Sequence, residues 1–192
     1  MSEPKPDFPS LSNQLLVSMP LLDDPNFSKT VILICQHNES GAMGIVVNRA
    51  ISRSLGEIFL DLSMPINDLS VMTMPVYDGG PVQQEVGFVI HNGKETDWDS
   101  SISISPSLCL TTSRDILVAM ASGSGPEKAV LGLGYAGWGP GQLEEEIKNN
   151  SWFSAPADAG IVFEESMANK WNDAAKLLGI DYLQLSSQVG HA

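Results

Sequence analysis

Apolar positions along the chain fall mostly in short runs of strand length, with helical spacing confined to a few segments. Residues 15–19 (LLVSM) and 31–37 are β-rich, and 44–48 is a third such run. Between the first two, Asp24-Pro25-Asn26 supplies turn chemistry. Residues 54–60 read as a short helix with Ser54 as its N-cap. Residues 64–75 read as a loop and 77–81 (YDGGP) as a turn. Residues 86–90 have strand length and end on His91-Asn92-Gly93, a hairpin signal. Residues 102–105 alternate at period two, and 108–111 continue them as a strand with one wet face. Ser113 caps a predicted helix through Met120, with Gly123 beyond its end. Residues 129–135 form a strand that enters a glycine-rich loop, and 142–149 a short acidic helix. Residues 151–163 alternate irregularly, as one or two strands would. Met167, Trp171, Ala174 or Ala175 and Leu178 make one helical stripe, which Gly179 closes. Many short strands with interspersed helices, and no regular βαβ rhythm, point to an α+β fold.

The run ILICQHNESGAMGIVVNRA poses the sharpest question of chemistry. Residues 31–35 are apolar on both faces, as in a central strand covered on each side. A four-residue loop, Asn38-Glu39-Ser40-Gly41, makes a hairpin that sets His37 opposite Ala42 and Cys35 opposite Gly44. In that register Cys35 and His37 share a face, roughly 7 Å apart along the strand, beneath two very small neighbours. One reading makes Cys35 a nucleophile or redox sensor whose thiolate His37 favours. The other makes it a buried small hydrophobe, with His37 as the polar end of a strand. No third residue visible in the sequence orients the histidine.

Composition narrows the classes. The chain has 192 residues, 43% hydrophobic, enough for one domain with a sizeable core. Residues 1–10 are polar and proline-rich, and the expectation is a flexible leader followed by a single domain over 11–192. No run reaches the ~20 apolar residues of a membrane span. Two cysteines without an export signal fit free thiols in a reducing cytoplasm. The net charge of −13, with ten scattered basic residues, disfavours direct contact with nucleic acid.

Other motifs carry less. Gly132-Leu133-Gly134-Tyr135-Ala136-Gly137 matches a dinucleotide fingerprint in letters alone, because Trp138-Gly139-Pro140 precedes the next helix. That helix begins with Glu144, Glu145 and Glu146, which repel phosphate and read as a solvated first turn. Cys35, His37, His91 and Cys109 match no zinc spacing, so no metal or cofactor is expected. The turns Gly79-Gly80 and Gly137-Trp138-Gly139 are better binding candidates, since loops on a rigid sheet commonly carry recognition. Asn48 and Arg49 end a core strand, and the planar guanidinium suits carboxylate or phosphate. If they share a rim, Arg49 and Trp138 make an anion-plus-aromatic patch.

Taken together, LLVSMPLLDDPNFSKTVILICQHNESGAMGIVVNRA, YDGGPVQQEVGFVIHN, LGYAGWGPGQLEEEIKNNSWF and KWNDAAKLLGID, in that order, resemble the YqgE/AlgH family of bacterial proteins. The resemblance implies an α+β domain whose bifurcated, largely antiparallel sheet folds into a pseudo-barrel with peripheral helices. It also implies a transcriptional-regulator label of genetic origin, with no agreed catalytic set to carry over. The resulting expectation is a regulatory or interaction protein without catalysis of its own, acting through a protein partner or small ligand. The rival is a thiol-dependent sensor or enzyme centred on Cys35 and His37, and the third is a direct DNA-binding regulator.

Charge decides against the third, because counterion release needs clustered cations. A gel-shift titration at low salt is expected to show no complex between the purified protein and duplex DNA at micromolar concentration. A discrete, sequence-dependent band would contradict it.

Overall fold

In the computed structural model, which describes residues 9–20, 22–164 and 166–179, the chain folds around one ten-stranded sheet. Residues 1–8 of the expected flexible leader, and the end of the expected domain from 180 to 192, lie outside the described residues. The order is β1 (Gln14–Ser18), β2 (Val31–Asn38), β3 (Gly41–Val46), β4 (Ala50–Ser54) and α1 (Leu55–Asp61). A 3-10 helix (Leu69–Thr73), β5 (Pro75–Asp78), β6 (Val82–His91), β7 (Ser101–Ser105) and β8 (Leu108–Thr111) follow. Then come α2 (Arg114–Ser122), β9 (Ala129–Trp138), α3 (Gln142–Lys148), β10 (Trp152–Pro156), α4 (Ala159–Phe163) and α5 (Met167–Leu177). Among the described residues no helix is long and apolar enough to cross a membrane.

The sheet runs β10-β1-β2-β3-β9-β6-β8-β7, antiparallel at each step, with β4 and β5 as a side pair. β9 is the fork. Along one edge, Leu131–Leu133 pair in parallel with β5 and Ala136–Trp138 pair antiparallel with β3. Its other edge carries β6. Gly134 lies at the change of partner with φ +74, and a Cβ there would fall 2.4 Å from the Gly80 carbonyl oxygen. Only glycine fits both the backbone angle and that approach. The fork curls the sheet into a half-barrel, the bifurcated architecture that the sequence resemblance implied.

Burial follows the pleat. Val31, Leu33 and Cys35 of β2 face a core shared with Ile45, Tyr77, Phe88 and Ile90, and α4 and α5 close over it with Ile161, Val162, Ala174 and Ala175. Ile32 and Ile34 face the opposite core, with Val46, Ala136, Trp138, Trp152 and Leu143 of α3. A strand apolar on both faces is what a sheet covered on both sides requires. A third core packs Leu55 and Phe59 of α1 and Ile116 and Met120 of α2 against Val76, Val89 and Leu131. Ser54 caps α1 with a reciprocal box: its hydroxyl accepts from Glu57 N, and Glu57 Oε2 accepts from Ser54 N at 2.7 Å. α5 is pinned to β1 by Trp171 Nε1, which donates to Ser18 O. Lys170 is fully buried beneath it, donating to Val162 O at 2.7 Å and to Tyr77 Oη at 3.2 Å.

Several local expectations are corrected. Residues 64–75 are not all loop, since Asp68 Oδ1 accepts from Ser70 N to start the 3-10 helix and β5 begins at Pro75. β4, unpredicted, forms by pairing with β5. His91-Asn92-Gly93 does not make a tight hairpin: β6 pairs with β8, and β7 takes the outer place. The predicted glycine-rich loop after 135 is strand as far as Trp138, because β3 supplies a partner. Residues 159–163 are helix, capped by Asp158 accepting from Ile161 N.

His91, fully buried, joins β6 to β8 through its side chain as well as its backbone. Its Nδ1–H donates to Asn92 O at 2.9 Å, so Nε2 accepts from the Thr111 hydroxyl at 2.7 Å. Burial holds the imidazole below its usual 6.5, against the Asn92 carbonyl and the Asp97 carboxylate, which both favour the charged form. A depressed folded value makes this stabilisation complete above pH 6.5 and lost as pH falls through the folded value. Urea midpoints are therefore expected to drop between pH 7.5 and 5.5 in the parent and to change less in His91→Gln. Equal slopes in the two proteins would count against this.

Candidate functional site

The β2–β3 hairpin does not keep the register that would unite the thiol with the imidazole. Asn38, Gln36 and His37 pair with Gly41, Met43 and Ala42, but Ile34 pairs with Gly44, so Cys35 is the extra residue of a bulge. Two residues then answer one, and the side-chain alternation reverses beyond that point. Cys35 faces the core beneath α4 and α5, whereas His37 emerges on the opposite face, towards α3. The space expected above Gly44 is also taken, since a Cβ there would meet Ile32 Cγ2 at 2.6 Å. The hairpin turn itself is tighter than expected, with only Glu39 and Ser40 between paired residues.

The Cys35 thiol is 2% exposed, and burial pushes it up from 9.0 to about 12, a bonded backbone group at Ile45 offsetting only part of that. His37 is held on both nitrogens. Nδ1 accepts from Leu11 N at 2.9 Å, which leaves the proton on Nε2, facing Glu144 Oε1 at 3.0 Å. Ser10 Oγ donates to the His37 carbonyl, so the leader is already tied to the sheet at that residue. His91 and Cys109 are register partners on β6 and β8, in another part of the sheet from β2. Among the described residues no three His, Cys, Asp or Glu side chains converge as a metal site would need.

Of the glutamate triplet only Glu145 is exposed as a solvated turn would have it. Glu144 receives His37, and Glu146 Oε2 accepts both indole N–H groups, Trp138 at 2.9 Å and Trp152 at 2.8 Å. Sequence reasoning missed both roles, because each partner lies on a distant segment. Phe27 completes the cluster, stacked on Trp138 and edge-on to Trp152, with centroids 6.4 and 5.6 Å away.

Most predicted site residues turn out to hold backbone. Asn48 Oδ1 accepts from Val31 N and Nδ2 donates to Lys29 O. Arg49 donates to the carbonyls of Pro25, Asn26 and Ser28. Arg49 and Trp138 thus grip the same loop, one by its carbonyls and the other by Phe27, and do not form an open patch. Gly79 donates to Leu133 O and accepts from Val46 N, and a Cβ on Gly79 or Gly80 would strike the β9 backbone at 2.4 or 2.2 Å. Gly139 is exposed and donates to Gln142 Oε1.

Gly137 differs. Its backbone is ordinary strand, and an added Cβ would meet only the Tyr135 ring, at 3.2 Å. It lies in an open groove of about 410 Å³, lined by Gln36, Asn38, Ser40, Met43, Tyr135 and Gly137 among others, none of them charged. Gln36 and Met43 are register partners, and so are Met43 and Gly137, so the floor is the uncovered end of one sheet face. Asn38 Oδ1 caps Ser40 N, whereas the Gln36 amide and Tyr135 hydroxyl have no hydrogen-bond partner among the described residues. The groove offers neutral donors and acceptors around a thioether, an aromatic ring and bare backbone.

The model of the AlgH-like family matches residues 15–183. A UPF0301 protein of Hahella chejuensis is 51% identical over 183 residues, 95% of this chain and 97% of the relative. One from Xanthomonas campestris pv. campestris is 48% identical over 182 residues, with 95% and 96% covered. Among solved structures, the solution structure of the AlgH protein from Pseudomonas aeruginosa is similar across 100% of both chains, with a TM-score of 0.78 and 39% identity. A crystal structure of a Corynebacterium diphtheriae protein, 22% identical, shares the fold with a TM-score of 0.70 over 92% of this chain and 89% of that one.

Native-state labelling with a thiol reagent at neutral pH is expected to be slow at Cys35 and to accelerate only as denaturant opens the core. Cys35→Ser is expected to cost about 1–3 kcal/mol in urea unfolding, from a hydroxyl buried in apolar surroundings. Rapid native labelling with an acidic titration would restore the thiol chemistry.

Proposed function

The chain belongs to the AlgH-like family, and from that premise we propose that it acts by binding, as a regulatory or interaction protein whose partner occupies the groove above Gly137. The observation that carries this is an exposed glycine that neither backbone angle nor packing demands, beside an unpartnered amide and hydroxyl. Such a surface suits an uncharged segment of a protein partner or a small neutral ligand, because it has hydrogen-bonding edges and apolar area but no ion to match. Catalysis is the weaker reading. The thiol is walled into the core, and the imidazole accepts a backbone N–H on the nitrogen that a general base would use. A regulatory effect would then pass through the partner, since a chain of net charge −13 repels the phosphates of DNA.

Gly137→Leu fills the groove and suits a strand, and Gln36→Ala removes the unpartnered amide. The partner captured by the parent from the native host, once identified and purified, is expected to bind each variant about tenfold more weakly or worse, with unfolding midpoints near the parent's. Undiminished binding by Gly137→Leu would place the site elsewhere.

A further inference from the structure

A second surface lies where α1, the 3-10 helix and α2 cover the third core. α1 and the 3-10 helix run antiparallel, since Leu55 N donates to Met74 O and a Cβ on Gly56 would meet the Met72 Cα at 2.6 Å. From that contact, Leu60 is four α-helical residues on and Leu69 three 3-10 residues back, each about 6 Å in the same direction, so the two side chains end up as neighbours. The segment between them lies along α2: Arg114 Nη2 donates to Leu62 O, and Asn67 N and Asp68 N both donate to Ala121 O. Val118 falls one turn from each of those contacts. Leu69 is 77% exposed, Leu60 58%, Val118 49% and Leu62 41%. Apolar side chains gathered from three packed elements mark an interaction surface in a way that scattered exposed leucines do not.

The rim of this patch is acidic. Residues 53–74 and 113–123 carry four carboxylates, Glu57, Asp61, Asp68 and Asp115, against only Arg53 and Arg114, a balance of −2. Asp61 is paired with Arg53, and Arg114 turns to the Leu62 carbonyl. Ser54 N donating to Glu57 and Ser70 donating to Asp68 hold those two carboxyls below the usual carboxylate range, so both are ionised at neutral pH. This charge sorts the occupants. A second copy docked face to face would set the carboxylates against their own counterparts, and an anionic lipid or nucleic-acid surface meets the same repulsion. A cationic segment with an apolar stripe matches both the leucines and the rim. The backbone of this surface is helical and bonded within its own elements, so the segment that needs no backbone partner from it is itself a helix. We infer that this face docks a basic amphipathic helix of a protein partner, its apolar stripe on Leu60, Leu69 and Val118 and its cationic flank beside Glu57, Asp61 and Asp68. The surface shares no residue with the groove above Gly137.

The probe is a synthetic amphipathic helix with leucines on one face and lysines on the other, titrated into the isotope-labelled full chain and followed by amide shifts. Shifts are expected over residues 55–74 and 114–122. Affinity should fall about tenfold or more in Leu69→Gln, which removes apolar contact, and in Asp61→Lys, which reverses the charge between Leu60 and Leu62. Both side chains are exposed, so unfolding midpoints should stay near the parent's. A counterpart with glutamate in place of each lysine is expected to bind about tenfold more weakly or worse. The same is expected of a scrambled peptide that keeps the lysines but loses the apolar face. Equal binding by either control peptide, undiminished binding by both variants, shifts confined to other residues, or no binding at millimolar peptide would overturn the inference. So would self-association of the free protein in sedimentation that Leu69→Gln abolishes, because that would assign the face to a second copy.

Discussion

The structure depends on one backbone serving three others. β9 carries β6 on one edge and divides the other between β5 and β3, so all three cores meet on its side chains or on those of its neighbours. That division requires the β9 chain to turn away from one partner and towards the next within about two residues. Gly134 supplies the turn, while Gly79 and Gly80 supply the close approach of the crossing strand. The glycines that looked in sequence like a binding loop are therefore the joints of the sheet. Function is left to positions that these joints hold steady.

Much of the fold was legible because it follows from local pattern. The two-sided apolar run of β2 announced a central strand, Ser54 and Gly123 bracketed helices by their own chemistry, and Gly179 has the left-handed φ expected of it. What stayed hidden was non-local. Whether residues 136–138 form loop or strand depends on β3, nearly a hundred residues earlier along the chain, which has the hydrogen-bond groups to receive them. The bulge at Cys35 leaves no mark in the letters, yet it reverses the facing of everything after it. One extra residue separates the thiol from the imidazole.

The candidate site was half visible. Arg49 was named as a planar cation at a strand end and Trp138 as an aromatic between glycines, but the partners of both lie within the chain. Both are spent on the segment around Phe27, and Glu146, which looked solvated, is the acceptor that settles both tryptophans. Gln36 and Tyr135 give no signal in sequence, because a polar residue at the uncovered end of a strand resembles any other. The 3-10 helix likewise falls in a stretch whose pattern resembled loop, and only packing sets it against the predicted helix of residues 54–60.

β1 has a consequence for the chain as it is made. One of its neighbours, β2, is the next strand along the chain, but the other is β10, which pairs Pro156 with Gln14. The helix that covers β1 arrives later still, with a bond spanning 153 positions from Trp171 to Ser18. During synthesis at about 5–20 residues per second, the edge of β1 waits unpaired for several seconds, apolar on both faces. An open strand edge of that kind recruits whatever strand is nearest. The half-barrel is therefore incomplete until its last strand is made, and a chain truncated before β10 leaves an apolar strand edge unpaired.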